Sequence, residues 1–289
     1  MWFRFRRLYR ITFSPLINFK YHLYNKINFF YNSIHKNINY QINNNYCYRQ
    51  VYLLSSSLRL LDKKKMTTIE DIKMIWRNCD AVSFDVDSTV IREEGIDELA
   101  KFCGKGDQVT ELTKKAMQGN MTFQQSLAVR LNIIQPNLEQ IKDLIRFHPP
   151  KLTPGIKELI DKLHEKNKKV FLISGGFRCL ISPVAAQLNI SPDHIFANRL
   201  KFFFTGEFAG FDENELTAKT GGKAKVIKRL KEKYNLKTIV HVGDGATDLE
   251  ASPPADAFIG FGGNVIRESV KNGSKWFVKD LNQLKDALD

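Results

Sequence analysis

The sequence predicts an α/β fold: a doubly wound parallel sheet with an inserted helical cap and a disordered, basic N-terminal extension. Three observations predict it. From residue 153 onward, short apolar runs alternate with segments of helical period, the pattern of parallel strands joined by crossover helices. Three apolar runs end in polar loops, "SFDVDST", "VFLISGG" and "IVHVGDGATD". A block of helical pattern, 97–147, stands between the first strand and the rest.

In chain order, "TTIEDIKMIWRN" reads as a short helix capped by Thr68, with Ile69, Ile72, Ile75 and Trp76 on one face. "AVSF" is a short strand. "IDELAKFC", "VTELTKKAMQ", "TFQQSLAVRLNII" and "NLEQIKDLIRFH" are helical stretches separated by Gly and Pro, and "HPPKLTPG" breaks the chain after them. "IKELIDKLHEKN" is a helix and "KKVFLISGG" a strand ending in glycine. "IFANRLKFFFTGEFAGFDE" reads as strands about a Thr205-Gly206 turn. "GGKAKVIKRLKEKYN" opens a helix after two glycines, "KTIVHVGDGATDLEA" is a strand, a turn and a helix start, and "DAFIGFG" and "KWFVKD" are further strands. The expected division is 1–65 extension, 66–96 and 148–289 catalytic core, and 97–147 cap.

The formal charge of +13 invites a nucleic-acid or membrane partner, but its location argues otherwise. Residues 1–65 hold twelve Lys and Arg and a single acid, Asp62, so +11 of the charge lies there and the remainder is nearly neutral. The stretch "YNKINFFYNSIHKNINYQINNNYCYRQ" has no clean period. It also lacks the roughly 18 continuous apolar residues of a membrane span. Four readings stay open: a disordered extension of biased composition, an organelle-targeting segment, upstream sequence translated ahead of a start at Met66, and an RNA-binding arm of interleaved aromatics and cations. The cytoplasm is the expected address, or the mitochondrion or plastid if the segment is a transit sequence. No nucleic-acid partner is expected; a homodimer is carried as an expectation. Cys47, Cys79, Cys103 and Cys179 have neither zinc-site nor disulfide spacing and read as reduced thiols.

In an open α/β sheet, ligands bind beyond the carboxyl ends of the strands, so Asp85, Asp87, Ser174, Asp244 and Asp248 can converge although distant in sequence. Two carboxylates about 4 Å apart repel by ~1 to 4 kcal/mol, and a third adds to this, so the cluster calls for a bound cation. Magnesium suits a few carboxylates, water and a substrate phosphate. Ser174 with the backbone N–H groups of Gly175 and Gly176, at an expected helix start, makes an anion cradle, and Lys223 adds a point charge. Asp85 can attack phosphorus to form an aspartyl-phosphate; Asp87 can protonate the leaving alkoxide and later activate water. Each stretch alone is commonly a turn, a loop or a solvated helix start; their joint occurrence in this order points to phosphoryl transfer.

In that order "DVDST", "LISGG", Lys223 and "GDGATD" resemble the four motifs of the haloacid dehalogenase-like phosphohydrolases. With "FDVDSTVIREEGIDELA", "KLTPGI", "NRLKF" and "PPADAFIGFGGNVIR", residues 66–289 resemble the phosphoserine phosphatases of the eukaryotic type within them. The resemblance implies a magnesium-dependent hydrolysis of O-phosphoserine to serine and phosphate, the last step of serine biosynthesis; a phosphatase or phosphotransferase of the same superfamily acting on another small phosphate is the alternative. It implies Asp85 as nucleophile and Asp87 as acid/base. Magnesium would be held by Asp85, Asp244 and the backbone carbonyl of Asp87, with Asp248 behind them. Ser174, Gly175, Gly176 and Lys223 would hold phosphate, Glu94 would face the serine ammonium, and Arg130 its carboxylate. Ser88, Met117, Thr247 and Arg267 match positions near the substrate. The family's Met-Gly-Gly is here Met117-Gln118-Gly119, so Gln118 brings a side chain to a glycine position in the cap. From the residues alone Arg130 reads equally as a surface helix arginine and Glu94 as a solvated acid. His148, His164, His194 and His241 show no metal-ligand spacing and read as structural or exposed.

Overall fold

A computed structural model describes residues 68–111 and 121–289. The expectations for residues 1–65, for Met117 and for Gln118 lie outside the described residues. Helix α1 (Ile69–Asn78) leads into β1 (Ala81–Phe84), followed by α2 (Gly95–Phe102), α3 (Phe123–Ile134) and α4 (Leu138–Phe147). Then come α5 (Ile156–Glu165), β2 (Lys169–Phe177), α6 (Arg178–Gln187), β3 (Ile195–Asn198), β4 (Leu200–Phe202) and β5 (Phe208–Phe211). The chain closes with α7 (Gly222–Tyr234), β6 (Ile239–Gly243), α8 (Ala246–Leu249), β7 (Ala257–Phe261), α9 (Glu268–Gly273), β8 (Phe277–Val278) and α10 (Asn282–Asp286).

Six strands form one parallel sheet in the order β3-β2-β1-β6-β7-β8. Every residue of β1, β6 and β7 is buried, as expected of central parallel strands covered on both faces. The order reverses direction at β1, which places β2 and β6 on either side of it. The tips of those three strands therefore share one crevice.

Helix α5 shows why these segments fold as they do. Ile156, Leu159, Ile160 and Leu163 recur at helical spacing and all are buried against the sheet cluster. Each contributes about 1.5–3 kcal/mol relative to an exposed side chain. In α1, Thr68 and Asp71 form a reciprocal cap, and Ile72 and Trp76 are buried, Trp76 donating its indole N–H to the Leu284 carbonyl at 2.9 Å. Ile69 departs from the expected face: it is 43% exposed. As the first helical residue, its side chain leans back toward the N-terminal end of the helix.

Of the helices between β1 and β2, α2, α3 and α4 bury their apolar faces in a cluster of their own, whereas α5 packs on the sheet core. Leu99, Leu127, Leu131, Ile134, Ile141 and Leu144 form a separate apolar cluster. The β4–β5 hairpin joins that cluster through Phe202, Phe208 and Phe211, its turn closed by Phe203 N–H to Glu207 O at 2.9 Å. The helical block therefore buries its face partly on strands from beyond residue 199, which the sequence division had grouped with the core. A second difference concerns Ser174-Gly175-Gly176. These residues continue β2, and α6 begins only at Arg178, so the cradle lies on a strand end and not at a helix start.

Candidate active site

Asp85 follows β1 directly, and Asp244 follows β6. The strands are adjacent and parallel, with Phe84 in register with Val242, and Asp85 N–H donates to the Val242 carbonyl at 2.9 Å. Neighbouring strands lie about 4.7–4.9 Å apart, so the two carboxylates are brought together by the ladder itself. Asp248 comes up from the start of α8. One carboxylate oxygen from each of Asp85, Asp244 and Asp248 lies within 4.8 Å of the others, and all three residues are buried.

Two cations answer this charge. Lys223, at the start of α7, sets its ammonium 2.7 Å from Asp85 Oδ1 and 2.6 Å from Asp248 Oδ1. Arg267 donates from Nε to Asp244 Oδ2 at 2.9 Å and from a terminal nitrogen to Glu94 Oε1 at 2.9 Å. Thr89 donates to Asp244 Oδ1 at 3.0 Å. Burial and then the charge of Asp248 still push Asp85 well above the usual carboxylate range, against the pull of Lys223. Burial and Asp248 raise Asp244 as well. Burial alone would raise Asp248 too, but Lys223 and then His241 hold it below its usual value. Burial opposes the charge on Lys223, yet Asp248 and Asp85 raise its pKa.

Asp87 is fixed at both oxygens, receiving Gly95 N–H at 2.7 Å and the Ser174 hydroxyl at 2.9 Å. Gly176 N–H donates to Ser174 Oγ at 2.8 Å, so it is already engaged within the strand end. A Cβ on Gly176 would lie 2.6 Å from Asp87 Oδ2, and one on Gly175 would lie 2.7 Å from Phe123 Cζ; both positions exclude a side chain. Between Asp87 and Glu94 the chain turns through Ser88 at φ 56°, a left-handed conformation that costs a non-glycine residue about 1–3 kcal/mol. Ser88 N–H donates to Glu93 O at 3.1 Å, and Asn264 Nδ2 reaches Ser88 O at 3.1 Å and Thr153 Oγ1 at 2.7 Å, which holds the turn. The Ser88 hydroxyl is spent on Glu94 Oε1 at 2.8 Å. Burial and then Asp87 push Glu94 up to about 7.

Asp85, Asp87, Glu94, Arg130, Gly175, Gly176, Lys223, Asp244, Thr247, Asp248 and Arg267 all line one cavity of about 610 Å³. Ser174 and Ser88 stand behind its wall, bonded to Asp87 and Glu94. Arg130, on α3, is half-buried, and among the described residues it forms no ion pair; its Nε is tied to Ser126 O at 3.3 Å. Formally six carboxylates and four cations line the cavity, an excess of two negative charges. Three clustered carboxylates, two of them pushed up by burial and by the charge of Asp248, fit a divalent cation. Asp85 pairs with Lys223 through one oxygen, and Asp244 receives Thr89 at Oδ1 and Arg267 at Oδ2. Asp248 is occupied by Lys223, His241 and, at Oδ2, by Gly245 N–H at 2.9 Å.

Two residues of the site, Phe123 and Asn264, carried no sequence signal, and a third, His241, carried a faint one. Phe123 faces Gly175 from α3, Asn264 locks the Ser88 turn, and His241 is fully buried with Nε2 2.8 Å from Asp248 Oδ1. His241 alone had a detectable mark, a polar residue inside an apolar strand. His148 is exposed and lies edge-on to Phe102, whereas the His194 ring lies tilted against Phe171. Cys79, Cys103 and Cys179 carry free thiols.

The haloacid dehalogenase-like hydrolase family matches residues 79–256. The chain is 58% identical over 224 residues, 78% of its length and all of the relative's, to the phosphoserine phosphatase of Bos taurus. It resembles a solved phospho-aspartyl intermediate analogue of a phosphoserine phosphatase at 27% identity and TM-score 0.64, covering 73% of this chain and 99% of that one. It also resembles the structure of DsGPDH of Dunaliella salina at 34% identity and TM-score 0.68, covering 77% of this chain but only 38% of that longer one. The chain belongs to the haloacid dehalogenase-like hydrolases, within their phosphoserine phosphatase branch.

Proposed function

We propose that this chain hydrolyses O-phosphoserine to serine and phosphate through an aspartyl-phosphate on Asp85, with magnesium as the divalent cation, and so completes serine synthesis. One observation carries the reading: a single cavity presents carboxylate nucleophile, cation pair and phosphate cradle together with an acid and a base, Glu94 and Arg130, suited to a zwitterionic end group. Asp85 attacks phosphorus, and Lys223 and the Gly175 N–H offset charge on the phosphoryl oxygens. Asp87, held by Ser174 and Gly95, gives its proton to the departing serine alkoxide and afterwards takes one from the attacking water. Glu94 and Arg130 orient the ammonium and carboxylate. Asp85, Asp244 and the Asp87 carbonyl would hold magnesium, which when bound neutralises phosphate charge as a Lewis acid.

The described residues contain no helix long and apolar enough to cross a membrane. The cytoplasm is the proposed site of action. Phosphate release from a panel of small phosphorylated metabolites, with and without magnesium, tests the reading. The expected result is magnesium-dependent release with phosphoserine preferred by kcat/KM. Preference for a phosphate ester lacking an amino-acid end would instead favour another small phosphate as substrate.

A further inference from the structure

His241 sits in the middle of β6, between Val240 and Val242, and is wholly buried. A valine or isoleucine would fill that place with no polar group to satisfy, whereas a buried imidazole needs partners at both nitrogens. It has them. Nε2 lies 2.8 Å from Asp248 Oδ1, and Nδ1 lies 2.8 Å from Ser83 Oγ. Ser83 is the register partner of His241 across the parallel β1–β6 pair.

The contacts form a closed circuit. Ser83 meets His241, His241 meets Asp248, Asp248 meets Lys223, and Lys223 meets Asp85, which lies two residues beyond Ser83, directly after the same strand. Asp248 Oδ1 is the junction, because it receives both His241 Nε2 and Lys223 Nζ, while Oδ2 receives the Gly245 N–H. The terminal torsion of an aspartate is soft, so its plane is set by what bonds its oxygens. A lysine ammonium is a mobile point charge that follows the nearest carboxylate. The orientation of Asp248 therefore decides where Lys223 stands relative to Asp85.

We infer that His241 is a positioning residue for the nucleophile: it holds Asp248 Oδ1 toward Lys223, and through it fixes the ammonium that pairs with Asp85, while Ser83 anchors the ring from the neighbouring strand. This rests on the reading of Asp85 as the nucleophile of a phosphatase. Because a carboxylate only accepts, Nε2 is the nitrogen that donates to Asp248.

Three variants of the full chain test it, with turnover normalised to folded protein by near-UV circular dichroism. Glutamine can present an N–H at the place of Nε2, and asparagine, one bond shorter, cannot. His241→Asn is expected to lower kcat about tenfold with less change in KM, as observed when supporting partners of active-site groups are removed. His241→Gln should recover most of that loss, and Ser83→Ala should lower kcat by a smaller factor. In the wild type without metal, ¹⁵N-resolved NMR should show a slowly exchanging proton on Nε2 of a single buried imidazole. Equal impairment of the Asn and Gln variants would make the residue a packing element and overturn the inference. So would wild-type kcat in His241→Asn, or an Nε2 that carries no proton. If the wild type ignores phosphoserine but cleaves another phosphate ester, the substrate assignment fails, and the same variant comparison on that ester still decides the role of His241.

Discussion

Lys223 places its ammonium 2.7 Å from Asp85 Oδ1 and is itself shielded from water, so the proposed nucleophile and its counter-charge form a buried pair that also involves Asp248. Breaking such a pair from one side leaves uncompensated charge and typically costs about 3–5 kcal/mol. Lys223→Met should therefore abolish turnover and, without metal, lower stability by about 3 kcal/mol at neutral pH. The sign with pH follows from Asp248, whose folded pKa is depressed. Its stabilisation is present above its unfolded value near 4 and is lost as pH falls through the folded one. The gap between wild type and variant in urea midpoints should then narrow toward acid pH. A gap of constant size would exclude Asp248 as its source.

Asp85→Asn removes one negative charge from a cluster that burial and Asp248 already strain, and keeps the side-chain shape. The fold should survive, with a melting temperature equal to or above that of the wild type in the absence of metal. Turnover should fall by about 10³-fold or more, since no oxygen nucleophile remains. Near-wild-type phosphate release in a preparation free of the parent enzyme would remove the aspartyl-phosphate route.

Glu94 gives a pH dependence. Burial and Asp87 raise it to about 7, so below that pH it is protonated and must release its proton to meet an ammonium group. Phosphoserine KM, taken relative to that of a phosphate ester lacking the amine, should fall as pH rises from about 6 to about 8. The comparison ester cancels the titration of the phosphate itself. In Glu94→Gln the ratio should be flat. A wild-type ratio that does not change across the interval would mean that Glu94 does not read the ammonium.

The strand tips and the acids they carry were legible because each lies inside one short stretch of sequence: an apolar run predicts a buried strand, and the residue after it must stand at the sheet's carboxyl edge. What was not legible joins residues far apart. Arg267 and Glu94 are separated by 173 positions, and Asn264 and Ser88 by 176. No periodicity encodes such pairs, because they depend on how β7 and the β1 loop are placed by the folded sheet. Gly176 failed differently: Ser-Gly-Gly suggests a helix start, but the strand runs on and the Gly176 N–H is taken by Ser174. The hairpin Phe202, Phe208 and Phe211 looked like core strands because an apolar residue does not say which of two clusters it enters.

Residues 1–65 should be dispensable for catalysis. They hold none of the four motifs, and the Bos taurus relative is matched over its whole length by 78% of this chain. A 66–289 fragment is expected to keep kcat and KM and a similar melting temperature. A tenfold loss of kcat/KM, or an insoluble fragment, would assign these residues a part in the working enzyme. Salt-sensitive RNA binding by the full chain and not by the fragment would give the basic segment a separate role.

Arg130 tests specificity most directly. It projects from α3 into the cavity that holds Asp85, is half-buried, and among the described residues pairs with no carboxylate. Burial lowers its pKa, while Asp97, Glu94 and Asp87 act from a distance to retain the charge. A half-buried guanidinium without an ion-pair partner is costly to keep, and a substrate carboxylate is the partner its two-pronged geometry fits. A charge-assisted pair contributes about 1.5–3 kcal/mol, which corresponds to about 10- to 100-fold in affinity. Arg130→Ala should raise KM for phosphoserine by that factor and leave a phosphate ester without a carboxylate within about twofold. Arg130→Lys should recover only part of the loss, because an ammonium cannot bond both oxygens in one plane. If both substrates weaken equally in Arg130→Ala, the arginine supports α3 or the phosphate end, and recognition of the amino-acid end must come from Glu94 alone.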